Sequence, residues 1–360
     1  MEGPMPLLIR FKNKNLLTLY ILITGLLISS ILSAKPSPPS FVAQHSVFSR
    51  DGSQLIYVIN NPHKEIIKQQ LRTGKIIKRI PFKLAANASL LAPTPDGFKL
   101  LVAHAKGIDV IHNGTGKVLR TLPHPSGRYD WKGQAIKQNS DGSLLAIPSL
   151  RNATPKIYLI HTGSGKIIRT ISLIQQDKHW NPYSSIGSFG FSHNKRLLAY
   201  TLYSNGKPTL HLYDISRQKA LMSIDIPLTG YADTTDEMIH FNQNNTKIII
   251  SGINQKTIKL VDIVKKTASQ LNYSYASFTS FSLDNKSLLI VQPYKKQLTF
   301  RNLSTGKQQQ LKLPAIKKGY ISNVIQSSNK VWLALPIWSN LRKEAKRFLL
   351  INTRTRKVLY

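Results

Sequence analysis

The stretch Phe48-Ser-Arg-Asp-Gly-Ser-Gln-Leu-Ile56 joins two apolar segments through a polar turn that contains Asp51 and Gly52. Asp-Gly is a favoured pair in hairpin turns because Gly adopts positive φ without a steric penalty. The same order of apolar segment, polar turn and apolar segment recurs along the chain. Its aligned turn residues are Asp51, Asp96, Asp141, Asn194, Asn244, Asp284 and Ser328, at spacings of 45, 45, 53, 50, 40 and 44 residues. The chain therefore contains seven copies of one unit.

A second turn keeps the same period as the first. It occurs as Thr73-Gly-Lys75, Thr115-Gly-Lys117, Ser164-Gly-Lys166, Arg217-Gln-Lys219, Val264-Lys-Lys266, Thr305-Gly-Lys307 and Thr355-Arg-Lys357. Each copy follows a short apolar segment, and most precede another one, so each unit predicts four short antiparallel strands. Four strands every 40 to 53 residues, repeated seven times, predict an all-β fold. We expect a seven-bladed β-propeller of four-stranded antiparallel blades over residues 41–360.

Parts of this repeat are similar to a known family. Asp51-Gly-Ser-Gln-Leu-Ile-Tyr-Val-Ile-Asn60 resembles the core of the YVTN repeat, with Ile59 where that family has Thr, and residues 108–111 and 258–262 are similar to its third strand. The chain thus resembles the YVTN-type and WD-repeat-like bacterial propellers, which include lactonase-like and quinoprotein-dehydrogenase-like members. The resemblance covers residues 41–360 and implies the fold, whereas propellers of this kind serve many functions.

The ends of the repeat array predict how the ring closes. Residues 41–48 form the first strand of blade one on this interpretation, and residues 358–360 form the last strand of blade seven. No strand is then exchanged between the two ends of the chain. We therefore expect the ring to close by packing between blades.

The first forty residues carry the pattern of an export signal. Arg10, Lys12 and Lys14 precede an apolar run over residues 16–32, and Ser33 and Ala34 follow it. A positive flank, an apolar centre and small residues predict either a cleaved signal peptide or a helical membrane anchor within residues 1–34. Residues 35–40 form a Pro/Ser-rich linker. In both cases the basic flank stays inside, so the rest of the chain is expected in the periplasm or on the cell surface.

The charge balance indicates the chemistry of the partner. The chain holds 50 Lys and Arg against 16 Asp and Glu, a net charge of +34, and it has no cysteine. Disulfides, thiolate metal sites and cysteine nucleophiles are therefore excluded. A strongly basic surface attracts polyanions, and export argues for an anionic envelope polymer rather than nucleic acid. Membrane contact is expected only through the N-terminal segment, if it remains uncleaved. A general preference for lysine in the source lineage is the alternative explanation.

Three connectors between blades carry the candidate ligand-binding residues. They span residues 123–134, 177–183 and 231–240, and they would lie on the face opposite the tight turns. Their aromatic side chains would stack on a ligand, and their carboxylates would accept hydrogen bonds or hold a cation. Packing between blades is the alternative role for the same residues. The candidates are Arg128, Tyr129, Trp131, His179, Trp180, Tyr183, Asp233, Asp236, Glu237 and His240.

The chain carries no recognisable catalytic motif. Its ten histidines lack metal-ligand spacing, and no Gly-x-Ser-x-Gly nucleophile elbow occurs. We therefore predict no catalytic residue, metal or cofactor. The expected function is an exported binding or scaffold propeller that engages a protein or an anionic envelope polymer through its connector face. The alternative is a lactonase-like or dehydrogenase-like enzyme with a site at the axial mouth, built from His179, Asp233, Asp236 and His240.

Overall fold

The computed structural model describes most of the repeat region. The chain divides into two compact units, Met1–Pro39 and Ser40–Tyr360, and all described residues belong to the second. The predicted N-terminal segment and linker lie outside the described residues. None of the described residues forms a helix of the length and apolarity needed to cross a membrane. The described ranges are 41–49, 51–59, 65–81, 89–94, 97–104, 107–123, 136–139, 141–149, 156–173, 185–204, 207–226, 237–252, 255–276, 278–314, 319–321, 324–327, 329–339 and 344–359.

The first four blades are regular four-stranded sheets. Blade one contains β1 (Phe41–Phe48), β2 (Gln54–Ile59), β3 (Glu65–Gln70) and β4 (Ile76–Pro81). Blade two contains β5 (Ser89–Pro93), β6 (Lys99–His104), β7 (Gly107–His112) and β8 (Val118–Pro123). Blade three contains β9 (Lys137–Gln138), β10 (Leu144–Ser149), β11 (Lys156–His161) and β12 (Ile167–Ser172). Blade four contains β13 (Ser185–Phe191), β14 (Leu197–Ser204), β15 (Lys207–Asp214) and β16 (Lys219–Asp225).

The last three blades repeat this arrangement. Blade five contains β17 (Glu237–Phe241), β18 (Lys247–Gly252), β19 (Gln255–Asp262) and β20 (Thr267–Ala276). Blade six contains β21 (Phe278–Phe281), β22 (Ser287–Gln292), β23 (Gln297–Asn302) and β24 (Gln308–Lys312). Blade seven contains β25 (Gly319–Ile321), β26 (Ile325–Gln326), β27 (Trp332–Ser339), β28 (Glu344–Asn352) and β29 (Lys357–Leu359), and β25 and β26 both pair with β27. Sequential strands pair antiparallel in blades one to six, and β27, β28 and β29 do so in blade seven, which confirms the predicted seven-bladed all-β fold.

The turn between the first and second strand has the same chemistry in every blade. Its first residue is Ser, Thr or Asn, and the side-chain oxygen accepts a hydrogen bond from the amide five residues later, as in Gln54 N to Ser49 Oγ at 2.9 Å. The residue that closes the turn has positive φ in all seven blades, at Gly52, Gly97, Gly142, Lys195, Asn245, Asn285 and Lys330. The recurring turn therefore arises from local side-chain capping and not from one fixed dipeptide.

The turn of blade seven has a different register from the one expected from the sequence. Ser328 was expected at the position of Asp51, but the structure puts Asn329 there. Ser327 Oγ donates to Asn329 Oδ1 at 2.6 Å, as Ser49 Oγ donates to Asp51 Oδ1 at 2.6 Å. Ser327 and Ser328 are adjacent in the sequence, so the pattern alone did not identify which serine begins the turn.

The hydrophobic core consists of separate clusters between neighbouring blades. In the described part of the chain each of the seven blade-to-blade interfaces has its own cluster of buried residues. The ring closes through one of them, in which Phe48, Leu55 and Tyr57 of blade one pack with Phe348 and residues of β27 and β28. Blade one keeps all four of its own strands in sequence order, so closure depends on packing, as predicted.

Candidate functional site

The first strands of the blades surround the central axis. β1, β5, β9, β13, β17 and β21 each contact the first strand of a neighbouring blade, while the fourth strands form the outer edge. Each first strand runs toward the turn that joins it to the second strand. We call the face that carries these turns, together with the turns between third and fourth strands, the turn face. The opposite face carries the connectors.

His240 lies on the first strand of blade five, near the turn face. It stands two residues before Asn242, which begins the turn. Its ring meets the edge of the Phe278 ring of blade six, with centroids 5.5 Å apart. Its Nε2 is buried and has no hydrogen-bond partner among the described residues. This nitrogen is therefore a polar atom that a ligand or a water molecule could satisfy.

Lys330 is a buried cation in the turn of blade seven. It is only 6% exposed, and its Nζ has no partner in the described part of the protein. Burial lowers the pKa of this ammonium from 10.5 to about 8. The lysine at the same turn position in blade four, Lys195, instead forms an ion pair with Asp141 and is largely exposed. Lys330 therefore differs from its structural equivalent in having no anionic partner among the described residues.

Two further basic residues come close to His240. Lys137 on β9 and His240 on β17 have the same register. Each stands two residues before the Asn side chain that begins the turn of its blade. His193 of blade four directs Nε2 to the carbonyl oxygen of Phe241 at 3.3 Å. We call Lys137, His193, His240 and Lys330 the basic cluster; its members come from blades three, four, five and seven.

Electrostatics confirm that these four groups share one neighbourhood. Burial, followed by the positive charges of Lys137, Lys330 and His193, lowers the pKa of His240 to about 3. Burial also lowers the pKa of Lys137, and burial and Lys330 lower that of His193. No carboxylate contributes to these shifts among the described residues. The basic cluster therefore concentrates positive charge without a described counter-charge.

A second basic feature lies at the rim of the turn face. The first residue after the turn between third and fourth strands is an exposed lysine in six blades, and Thr267 takes that place in blade five. The equivalence is structural, because the carbonyl oxygens of Lys75 and Lys117 accept the same hairpin hydrogen bond in their blades. We call these residues the lysine ring: Lys75, Lys117, Lys166, Lys219, Lys307 and Lys357.

Most of the predicted ligand-binding residues lie outside the described residues. This holds for Arg128, Tyr129, Trp131, His179, Trp180, Tyr183, Asp233 and Asp236. Glu237 begins β17, and only its backbone is described. His240 belongs to β17 and not to a connector, which puts it near the turn face. The convergence of the three connectors therefore stays a prediction. Among described residues no group of His, Asp or Glu is placed to hold a metal ion.

Sequence reasoning missed three members of the basic cluster. Lys137, His193 and Lys330 are far apart in sequence, and each looks like an ordinary residue of a solvated turn or strand. Aligning the blades on the capping residue of the first turn would have put Lys137 and His240 in register. The burial of Lys330 carries no sequence signal, because it depends on contacts between blades.

Comparisons with known proteins support the fold alone. No family model matches the chain, and no curated protein matches its sequence. Among solved structures 1343 chains match. One is a chain of the hydrazine synthase of Kuenenia stuttgartiensis, with a TM-score of 0.61 and 15% identity, covering 89% of this chain and 97% of that chain. At this identity the similarity concerns the propeller architecture.

Proposed function

We propose that this protein is an exported, non-catalytic binding propeller whose partner is an anionic envelope polymer. The lysine ring is the observation that carries the proposal. The propeller repeats one exposed ammonium at the same structural position in six blades, at the outer edge of the turn face. A row of regularly repeated cations matches a polymer with regularly repeated negative charges.

The remaining charges of the protein do not neutralise these cations. If each of the 16 carboxylates paired with one cation, 34 of the 50 Lys and Arg would still lack a partner. Several described carboxylates are already engaged inside their own blades. Asp51 accepts hydrogen bonds from Ser49 and Ser53, and Asp262 accepts one from Lys247 at 2.8 Å. The lysine ring is therefore free to attract an external polyanion.

The outer strands add apolar surface beside the ring. Ile76 and Ile77 of blade one are 44% and 49% exposed, and Ile167 and Ile168 hold the same places in blade three. Val118 and Leu119 repeat the pair in blade two. Exposed edge strands with flanking lysines resist pairing with other edges. The same arrangement gives an acidic polymer both ionic contacts and apolar contacts.

Export and the connector face complete the proposal. The basic flank and apolar run of residues 10–32 direct the propeller out of the cytoplasm and into the envelope, which is where acidic envelope polymers occur. The predicted connector residues other than His240 would extend the contact on the opposite face. Fractionation of cells that express the full chain, with protease applied to intact cells, would test export. If the propeller also resists protease after the outer membrane has been permeabilised, the proposed export is contradicted.

Salt dependence of binding tests the role of the lysine ring. The full chain is titrated with polyglutamate and with polyphosphate from 0.05 to 0.3 M NaCl, at about pH 7. Counterion release makes log Kd linear in log salt, with a slope close to the number of ion contacts. Replacing Lys75, Lys117 and Lys166 together by Gln should weaken binding at least tenfold at low salt and reduce the slope by about two to three.

A matched variant changes the same charge on the other face. Lys295, Lys296 and Lys312 lie in blade six at the connector end of its strands. Their replacement by Gln should leave the salt slope almost unchanged. Equal losses in the two triple variants would show that binding follows net charge and would refute a role of the ring. Failure of the wild-type chain to bind either polymer at 0.15 M NaCl would refute the proposed function.

A further inference from the structure

We propose a second, independent site: the basic cluster binds a phosphate group, or a tetrahedral oxyanion of the same charge, at the turn-face end of the central axis. Lys330 and His240 would contact the anion directly. Lys137 would contribute positive charge near the anion, and His193 would line the site. The site is separate from the lysine ring, because it lies at the inner strands and the ring lies at the outer edge.

Burial without a partner is the first argument for a ligand. Lys330 is only 6% exposed as a residue, and its buried Nζ has no hydrogen-bond acceptor among the described residues, although a buried ammonium group requires acceptors. Its equivalent Lys195 satisfies the same need with Asp141. Asp141 belongs to the turn of the neighbouring blade three, and no described carboxylate pairs with Lys330 in the same way.

Buried hydrogen-bond donors on the first strands of other blades also lack a partner among the described residues. The hydroxyl groups of Ser188 on β13 and Thr279 on β21 are buried on first strands without a partner in the described part of the protein. The Nε2 of Gln326 on β26 is likewise buried and unpaired there, while its Oε1 accepts from Ser280 at 2.6 Å. An oxyanion with several oxygens provides the acceptors that these groups lack.

Charge selects the class of ligand. Burial lowers the pKa values of Lys137 and Lys330, and burial followed by neighbouring cations lowers that of His240, with no carboxylate among these causes. A cationic or neutral ligand would leave this repulsion in place. A phosphate dianion would offset two positive charges and allow His240 to accept a proton. Binding should therefore be accompanied by proton uptake near neutral pH.

Calorimetry on the full chain tests the proposal, in a non-ionic detergent for the two water-soluble probes and without detergent for the vesicles. Titrations use inorganic phosphate, glycerol 3-phosphate and vesicles that contain phosphatidic acid, all at 0.15 M NaCl to screen the general basic surface. We expect saturable 1:1 binding of at least one of these probes. Inorganic phosphate alone would indicate a free anion, whereas binding of the ester or the vesicles would indicate a phosphate group on a larger molecule.

Variants assign the binding to the basic cluster. Lys330→Met should weaken the affinity for phosphate at least tenfold, and His240→Phe should weaken it several-fold and abolish the proton uptake. Lys195→Met is the matched control, because it changes the equivalent turn lysine, and it should bind phosphate as the wild type does. If Lys330→Met does not fold, His240→Phe and the proton count still decide the question.

Two results would overturn this site. One is the absence of saturable binding of all three probes, and the other is wild-type affinity in both Lys330→Met and His240→Phe. The triple variant of the lysine ring should keep phosphate binding, and Lys330→Met should keep polymer binding. Each proposal can therefore fail without the other.

Discussion

Replacing Lys330 by Met should stabilise the protein in the absence of anions. Met keeps the length of the side chain and removes the ammonium group. The backbone strain at the positive φ of 57° is the same for Met as for Lys. The pKa of Lys330 falls from 10.5 to about 8 because the charged form is desolvated. One pKa unit corresponds to about 1.4 kcal/mol, so the buried charge costs about 3 kcal/mol at pH 7.

The dependence of this cost on pH has a definite sign. The pKa of Lys330 is lower in the folded state, so the unfolded state binds the proton more tightly. Stability is therefore lost as the pH falls from about 10.5 to about 8, and the loss stays complete below that range. The advantage of Lys330→Met should be about 3 kcal/mol at pH 7 and about 2 kcal/mol at pH 9.

Urea unfolding followed by tryptophan fluorescence would measure the difference. Both proteins are compared at pH 7 and pH 9 in buffers free of phosphate and sulfate, and the midpoints are converted with a common m value. Lys195→Met serves as control and should lose stability slightly, by up to about 1 kcal/mol, because it breaks an exposed ion pair. The reasoning is refuted if Lys330→Met is equally stable or less stable than the wild type at pH 7.

Three other substitutions test the fold and the electrostatics. His240→Phe should abolish an acid-induced loss of about 2 kcal/mol between pH 7 and pH 5, because the pKa of His240 is about 3 when folded and about 6.5 when unfolded; an identical pH profile of unfolding would contradict this. Phe348→Ala should lower stability by about 3 kcal/mol in thermal or urea unfolding, because Phe348 packs with Tyr57 at the closure of the ring, with centroids 5.4 Å apart; a loss below about 1 kcal/mol would show that closure does not depend on this contact. Gly142→Ala should lower stability by about 2 kcal/mol more than Gly97→Ala. Both glycines have positive φ, but a Cβ at Gly142 would lie 2.4 Å from the carbonyl oxygen of Pro93, whereas a Cβ at Gly97 would have no described atom within 4 Å. Equal losses in the two glycine variants would argue against the contact between blades two and three.

The fold could be predicted because its determinants are local. A turn such as Ser49–Gln54 is formed by side chains that cap their own backbone, so it leaves a signature in a few adjacent residues. The period of that signature then reveals the number of blades. Blade seven shows the limit of this reasoning: its turn contains two adjacent serines, and the expected register placed Ser328 where the structure has Asn329.

The functional residues were less accessible to sequence reasoning. Connectors such as residues 123–134 were chosen for their length and composition, and most of their residues lie outside the described part of the chain. Among the chosen residues His240 alone has a described side chain, and its partners were not foreseen. Phe278, Lys137 and Lys330 reach it from three other blades, through contacts that no local pattern encodes.

The amino-acid sequence by itself determined the repeat, the hairpin turns and the excess of positive charge, because each of these is a property of neighbouring residues or of composition. The tertiary structure decided which charges are paired and which are buried. Lys195 and Lys330 occupy the same turn position, yet one lies beside Asp141 and the other near His240 and His193. The physical reason is that the arrangement of the blades around an axis, and not sequence proximity, sets the dielectric surroundings and the counter-charge of each side chain.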